Sequence, residues 1–217
     1  MSEVVSKVSP YVFDGAGCEV LVIFAHGAGA NMHSDFMVQM AEALAGENRR
    51  IARFNFPYMC ANALDGKRRP PDRAPKLVID FDSHITFLKE KYAPKKIILM
   101  GKSMGGRMAA IVAAKIQVDG VICLGYPFIP LKGGEPRLLP IVECQAPLLV
   151  VQGERDKFGY KGLVETWPEM HAVQLHWLVD GCHSFKPRKA SGVTYDENMT
   201  QAVTYCQQFI EAILREK

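Results

Sequence analysis

The sequence predicts an α/β protein, a mainly parallel sheet with helices on both faces. Two patterns and one bulk property point there. Short apolar runs alternate with longer segments of helical spacing along most of the chain. Most of the runs are continuously apolar rather than alternating, as expected of strands covered on both sides. The composition, 48% hydrophobic and 23% charged over 217 residues, is that of an ordinary globular chain. A chain of this length buries about 70% of its unfolded surface, enough for a core without staples.

The first run is 20–25, followed by a helical segment at 34–46. A second run at 51–56 leads to a helix over 75–92, and a third at 97–101 passes directly into a helix over 104–117. Runs at 121–126 and 147–152 follow, then a helix over 159–170, a last run at 173–179 and a closing helix over 195–215. Val203, Phe209, Ile210 and Ile213 give that final helix one apolar face. The sequence holds no repeat, low-complexity tract or linker, so residues 1–217 are expected to form a single domain. Ligands of open α/β sheets bind beyond the carboxyl ends of the strands. Function is therefore to be sought where each run stops.

Composition excludes several function classes. The formal charge is +3, too small to mark a nucleic-acid protein, although Lys67, Arg68, Arg69 and Arg73 cluster. Glu19, Lys102 and Lys115 interrupt the longest apolar stretches, so no membrane partner is expected. Residues 1–10 carry Glu3 and Lys7 and have no apolar core, unlike a leader peptide. The six cysteines form no Cys-x-x-Cys pair, which removes zinc-ribbon and thioredoxin readings. Cys18 and Cys123 sit inside apolar runs as small hydrophobes. Such usage fits a reducing, cytoplasmic setting.

The most informative stretch follows the third run. Ile97-Ile98-Leu99-Met100 enters Gly101-Lys102-Ser103-Met104-Gly105-Gly106, and a helical pattern begins at once. Gly-x-Ser-x-Gly between strand and helix is the signature of a nucleophile elbow. The turn is tight enough to strain the serine backbone, and residues two positions either side must lack bulk. Gly101 and Gly105 meet that need. The serine oxygen then stands at the positive end of the helix dipole. A phosphate-binding loop would need glycine five residues before Gly101, where Lys96 stands.

A serine hydroxyl needs a base and an orienting acid, in the chain order Ser, acid, His for this arrangement. The run at 147–152 ends in Gly153-Glu154-Arg155-Asp156, and that at 173–179 ends in Asp180-Gly181-Cys182-His183. Asp156 and His183 are the candidates, with Glu154 and Asp180 as rivals for the acid. An oxyanion needs backbone donors: one from Met104, after the serine, and one from the loop His26-Gly27-Ala28-Gly29 after the first run. Ala28 is the chosen second donor, ahead of Gly29. His26 is expected to brace that loop, and His84, His171 and His176 to be structural.

Through His26-Gly27-Ala28-Gly29, Gly101-Lys102-Ser103-Met104-Gly105, Asp156 and His183, the chain resembles the α/β-hydrolase superfamily over nearly its whole length. It looks closest to the small dienelactone-hydrolase-like group. Phe56-Pro57-Tyr58, Arg68-Arg69-Pro70-Pro71 and the run from Gly101 to Arg107 make it similar to a narrower hydrolase-like family. That family includes a testis-expressed protein and a subunit of the non-specific-lethal histone-acetyltransferase complex. The resemblance implies an α/β-hydrolase fold and a serine mechanism; the complex subunit implies that some relatives serve as interaction modules. Dienelactone hydrolases carry cysteine where this chain has Ser103, so their substrate is not implied.

About 20 residues separate Tyr126 from Pro147, too few for a large cap domain. The site is expected to be open, or covered only by loops such as 127–140 and 56–73. The latter makes Arg68 and Arg69 candidate contacts for an anionic substrate. Arg107 is expected to pair with a local carboxylate. The reading is a minimal serine hydrolase acting on a small ester or thioester, with Ser103, His183 and Asp156 as triad. The alternative is a non-catalytic binding or interaction module. No metal or organic cofactor is called for, and the expected partner is a small-molecule acyl substrate. The protein is expected to be a monomer or a small homo-oligomer.

Overall fold

Strands that are apolar on both faces must be covered on both, and the computed structural model, which describes residues 11–215, shows how. Residues 1–10, for which composition predicts no leader, lie outside the described residues. The strands are β1 (Val12–Asp14), β2 (Val20–Ala25), β3 (Arg49–Phe54), β4 (Lys96–Lys102), β5 (Gly120–Leu124), β6 (Leu148–Gly153) and β7 (Gln174–Leu178). They form one sheet in the order β1-β3-β2-β4-β5-β6-β7. Only β1 runs antiparallel, against β3.

Alternate residues of each strand feed two cores. Leu21 and Ile23 face α3 (Ala74–Tyr92) and α4 (Met104–Ala113), with Phe81 and Met108 packed against them. Val22 and Phe24 face α1 (Asp35–Leu44) and α7 (Tyr195–Arg215), which contribute Met40 and Ile210. Strand β4 lies at the centre, so its carboxyl end is flanked by the ends of β2 and β5.

Three differences from the sequence reading have physical causes. The segment expected as a helix over 159–170 is a short α6 (Lys161–Val164) and a 3-10 turn at Pro168–Ala172. Pro168 disfavours helical backbone at Trp167, which is extended at φ −89° and ψ 119°. The run at 121–126 stops pairing at Leu124 because Gly125 turns to φ 62°. The segment 56–73 is not all loop. It holds α2 (Pro57–Asp65), begun by a proline at its first turn and ended by Gly66 at φ 70°. Between β5 and β6 the only regular element is α5 (Leu139–Val142), so no cap domain covers the strand ends. Among the described residues, no helix is long and apolar enough to cross a membrane.

Candidate active site

Ser103 occupies the turn between β4 and α4 with φ 53° and ψ −114°, a conformation that costs a non-glycine residue on the order of 1–3 kcal/mol. Two close approaches hold it there. A Cβ on Gly101 would fall 2.1 Å from the Gly105 carbonyl carbon, and one on Gly105 would fall 2.3 Å from the Ala25 carbonyl oxygen. Strand, elbow and helix therefore fit together only with glycine at both positions. Gly105→Ala is expected to destabilise the fold by about 3 kcal/mol or more, measured by denaturant unfolding.

Ser103, His183 and Asp156 form one hydrogen-bonded row. The Ser103 hydroxyl lies 2.9 Å from His183 Nε2, and His183 Nδ1 lies 2.7 Å from Asp156 Oδ2. Asp156 is fully buried, and its other oxygen accepts the Phe158 amide at 2.9 Å. Gln152 Nε2 donates to the same Asp156 Oδ2 at 3.0 Å and to the Tyr126 carbonyl at 3.1 Å. Composition gave no reason to single out Gln152, although a buried amide ending an otherwise apolar strand is the signal that marks it. The rival acids are engaged elsewhere: Glu154 with Lys161 at 3.1 Å, and Asp180 with Arg155 and Arg188 at 2.8 and 2.6 Å.

Burial pulls the His183 pKa below the ordinary imidazole value, against the hydrogen bond to Asp156, and the nearby Lys102 and Lys157 charges pull the same way as burial. The ring is thus neutral at neutral pH. With Nδ1 donating to Asp156, Nε2 is left to accept the Ser103 proton.

The loop after β2 is held by His26. Its Nδ1 donates to the Gly27 carbonyl at 2.7 Å, and its Nε2 accepts the Phe56 amide at 3.1 Å. In a trans peptide the carbonyl and the following N–H point opposite ways, so fixing the Gly27 carbonyl also fixes the direction of the Ala28 N–H. Tyr58 donates its hydroxyl to the Ala28 carbonyl at 3.1 Å. Burial pushes the His26 pKa down to about 4. The unfolded chain takes up this proton near pH 6.5 and the folded one only near 4, so stability falls as pH drops through that window, by about 3 kcal/mol in full. Urea unfolding at pH 7 and pH 4.5 measures the loss, and His26→Gln, which keeps a donor and an acceptor without a titrating proton, removes this contribution.

Ser103 opens on a cavity of about 380 Å³ whose walls include Ala28, Met104, Arg107, Arg137 and Phe158. Both covering segments contribute, 56–73 through Pro71 and Asp72 and 127–140 through Pro127, Leu131 and Arg137. Arg68 and Arg69 are not on its wall. They line a smaller neighbouring pocket of about 230 Å³ that shares only Ala28, and Arg69 is bound to Asp65 at 2.6 Å. The expected carboxylate partner of Arg107 is missing too. Among the described residues no acid lies within ion-pair distance of it, and its buried Nε has no hydrogen-bond partner. Arg137 donates only weakly, to the Pro127 carbonyl at 3.4 Å, and both burial and the Arg107 charge lower its pKa. The cavity's acid, Asp72, is balanced by Lys76 at 2.8 Å. Among the described residues neither Arg107 nor Arg137 makes an ion pair, although Asp72, with its Oδ2 unpartnered, shares their cavity. Among the described residues, no group of three His, Cys, Asp or Glu side chains is placed to hold a metal ion.

Known proteins agree with this architecture. A family model for an alpha/beta hydrolase domain matches residues 18–211. Over 118 residues, 52% of this chain, the sequence is 30% identical to a carboxymethylenebutenolidase of Pseudomonas putida. The chain spans about half the length of that relative, 48%. A structure of an α/β serine hydrolase homologue from Coxiella burnetii superposes with a TM-score of 0.68 at 17% identity, covering 92% of this chain and 90% of that one. A dienelactone hydrolase from Anabaena variabilis gives the same TM-score, 0.68, at 18% identity, covering 93% of this chain and 90% of that one. An α/β serine hydrolase without lid from Xanthomonas campestris does likewise at 18% identity and TM-score 0.68, over 95% and 90%. With the elbow at the end of the central strand and a model match over nearly the whole chain, this protein belongs to the α/β-hydrolase family.

Proposed function

We propose that the protein is a serine hydrolase that cleaves a small ester or thioester bearing an anionic group, by way of an acyl-enzyme. The unbroken row from Ser103 through His183 to the buried carboxylate of Asp156, opening on a cavity, carries this reading. Ser103 Oγ attacks the substrate carbonyl carbon while its proton passes to His183 Nε2. The amides of Met104 and Ala28 stabilise the oxyanion. His183 then gives its proton to the leaving alkoxide or thiolate. Water attacks the acyl-enzyme, loses a proton to His183, and frees the acid as Ser103 regains its hydrogen. The lowered His183 pKa keeps the base available in mildly acidic solution, so the acid limb of kcat/KM is expected below about pH 6.5.

The unpaired charges of Arg107 and Arg137 support the anionic substrate class, since guanidinium binds carboxylates in forked hydrogen bonds. The test is a pair of matched p-nitrophenyl esters, hemiglutarate and valerate. The native protein is expected to prefer the anionic one. Arg107→Gln and Arg137→Gln each cut that preference about tenfold, mainly through KM. The pair Arg68→Ala with Arg69→Ala keeps it. Equal kcat/KM for both esters in the native protein removes the anion subsite, and hydrolysis of neither removes the function.

A further inference from the structure

The lysine inside the elbow points away from the cavity and into the protein. Lys102 is 8% exposed, and its ammonium makes one hydrogen bond, to the main-chain carbonyl of His183 at 2.5 Å. The Nζ lies 5.3 Å from the Phe36 ring centre and 5.6 Å from that of Phe185, so aromatic faces replace water around the charge. Room for it exists because residue 125 is glycine. A Cβ there would fall 2.6 Å from Lys102 Nζ and 3.0 Å from the His183 carbonyl oxygen. The ends of β4 and β5 and the loop after β7 thus meet at one ammonium group.

Burying a lone ammonium is costly, and an exposed lysine would serve the elbow turn equally well. We propose that Lys102 is a positioning residue for His183: its buried ammonium holds the His183 carbonyl and so fixes where the imidazole stands between Ser103 and Asp156. His183 sits in a loop, five residues beyond the end of β7, and needs such an anchor to keep its ring in register with a serine on another strand. The charge also reaches the ring. It lowers the His183 pKa, while burial pushes that of Lys102 itself down to about 8. The ionisable groups acting on Lys102 are Asp156, from the loop after β6, and Cys182, from the loop after β7; Phe36 of α1 and Phe185 bring no charge. On His183 the acting charges are Asp156, Lys102 and Lys157.

Lys102→Met keeps the length and removes both donor and charge. Because the Lys102 side chain is not on the cavity wall, KM for a short ester is expected to stay near native while kcat falls about 10- to 100-fold. The acid limb of kcat/KM moves to higher pH, since a charge that disfavours protonated His183 is gone; a lysine whose charge does not reach the ring leaves it in place. A second measurement needs no variant. In the native protein the His183 ring resonances are expected to show, besides their own titration, an inflection near pH 8 as Lys102 gives up its proton. Cys182→Ser retains that inflection and Lys102→Met abolishes it. A folded Lys102→Met with native kcat and a native acid limb overturns the proposal. So does the absence of the inflection in native protein, should the variant fail to fold. The kinetic arm rests on the serine-hydrolase reading, whereas the ring titration does not, so failure of one is separable from failure of the other.

Discussion

Ser103→Ala and His183→Ala are each expected to lower ester hydrolysis on the order of 10⁶-fold, with the double variant no slower than either alone. The reason is that the two side chains act as one unit. Without the hydroxyl there is nothing to acylate, and without the imidazole its proton has no acceptor, because His183 Nε2 is the group in contact with it at 2.9 Å. Steady-state rates checked by active-site titration measure the loss. The fold is expected to survive, since alanine at 103 adopts the same φ of 53° at similar cost. Ser103→Gly, which meets that φ without strain, is equally inactive and more stable by about 1 kcal/mol.

Asp156→Asn is expected to lower kcat about 10⁴-fold while leaving the geometry intact. The surrounding donors decide how the asparagine sits. The Phe158 amide, at 2.9 Å from Asp156 Oδ1, demands an acceptor there, so the new NH₂ takes the position of Oδ2. It then donates to His183 Nδ1, which receives a donor in place of its acceptor at 2.7 Å. The imidazole switches to the tautomer with its proton on Nε2 and can no longer accept from Ser103. Nitrogen chemical shifts of the His183 ring distinguish the two tautomers directly. The Gln152 amide, which also aims at Oδ2, is left facing another donor, so a stability loss of about 1–3 kcal/mol accompanies the switch.

The sheet and the row of Ser103, Asp156 and His183 were legible for the same reason. Most of the parallel strands are continuous apolar runs, and the three residues follow the runs that became β4, β6 and β7. Gly101 and Gly105 were legible because close backbone approach leaves no alternative to glycine. What stayed hidden depends on partners distant in sequence. Strand β1 has three residues, and its pairing with β3 is secured by Asp14 bound to Arg53 at 2.7 Å, which no local pattern announces. Helix α2 buries only Tyr58, so it lacks an apolar stripe. Arg107 looked like one half of an ion pair, and only the fold shows that the acid on the cavity wall, Asp72, pairs with Lys76 instead. Arg137 sits in a loop that carries no motif. Its main chain is fixed by the Phe128 carbonyl at 2.7 Å and by the Tyr126 hydroxyl at 2.9 Å. The basic cluster at 67–69 was conspicuous in composition yet faces a different, smaller pocket.

The central claim is that Ser103 is a nucleophile activated by His183. Intact-mass analysis after exposure to a fluorophosphonate tests it most directly. The native protein is expected to gain one adduct, mapped to the peptide containing Ser103, while Ser103→Ala gains none and His183→Ala reacts slower by orders of magnitude. A native protein that stays unmodified, or one labelled equally well without the imidazole at 183, contradicts the account and leaves a hydrolase fold used only for binding.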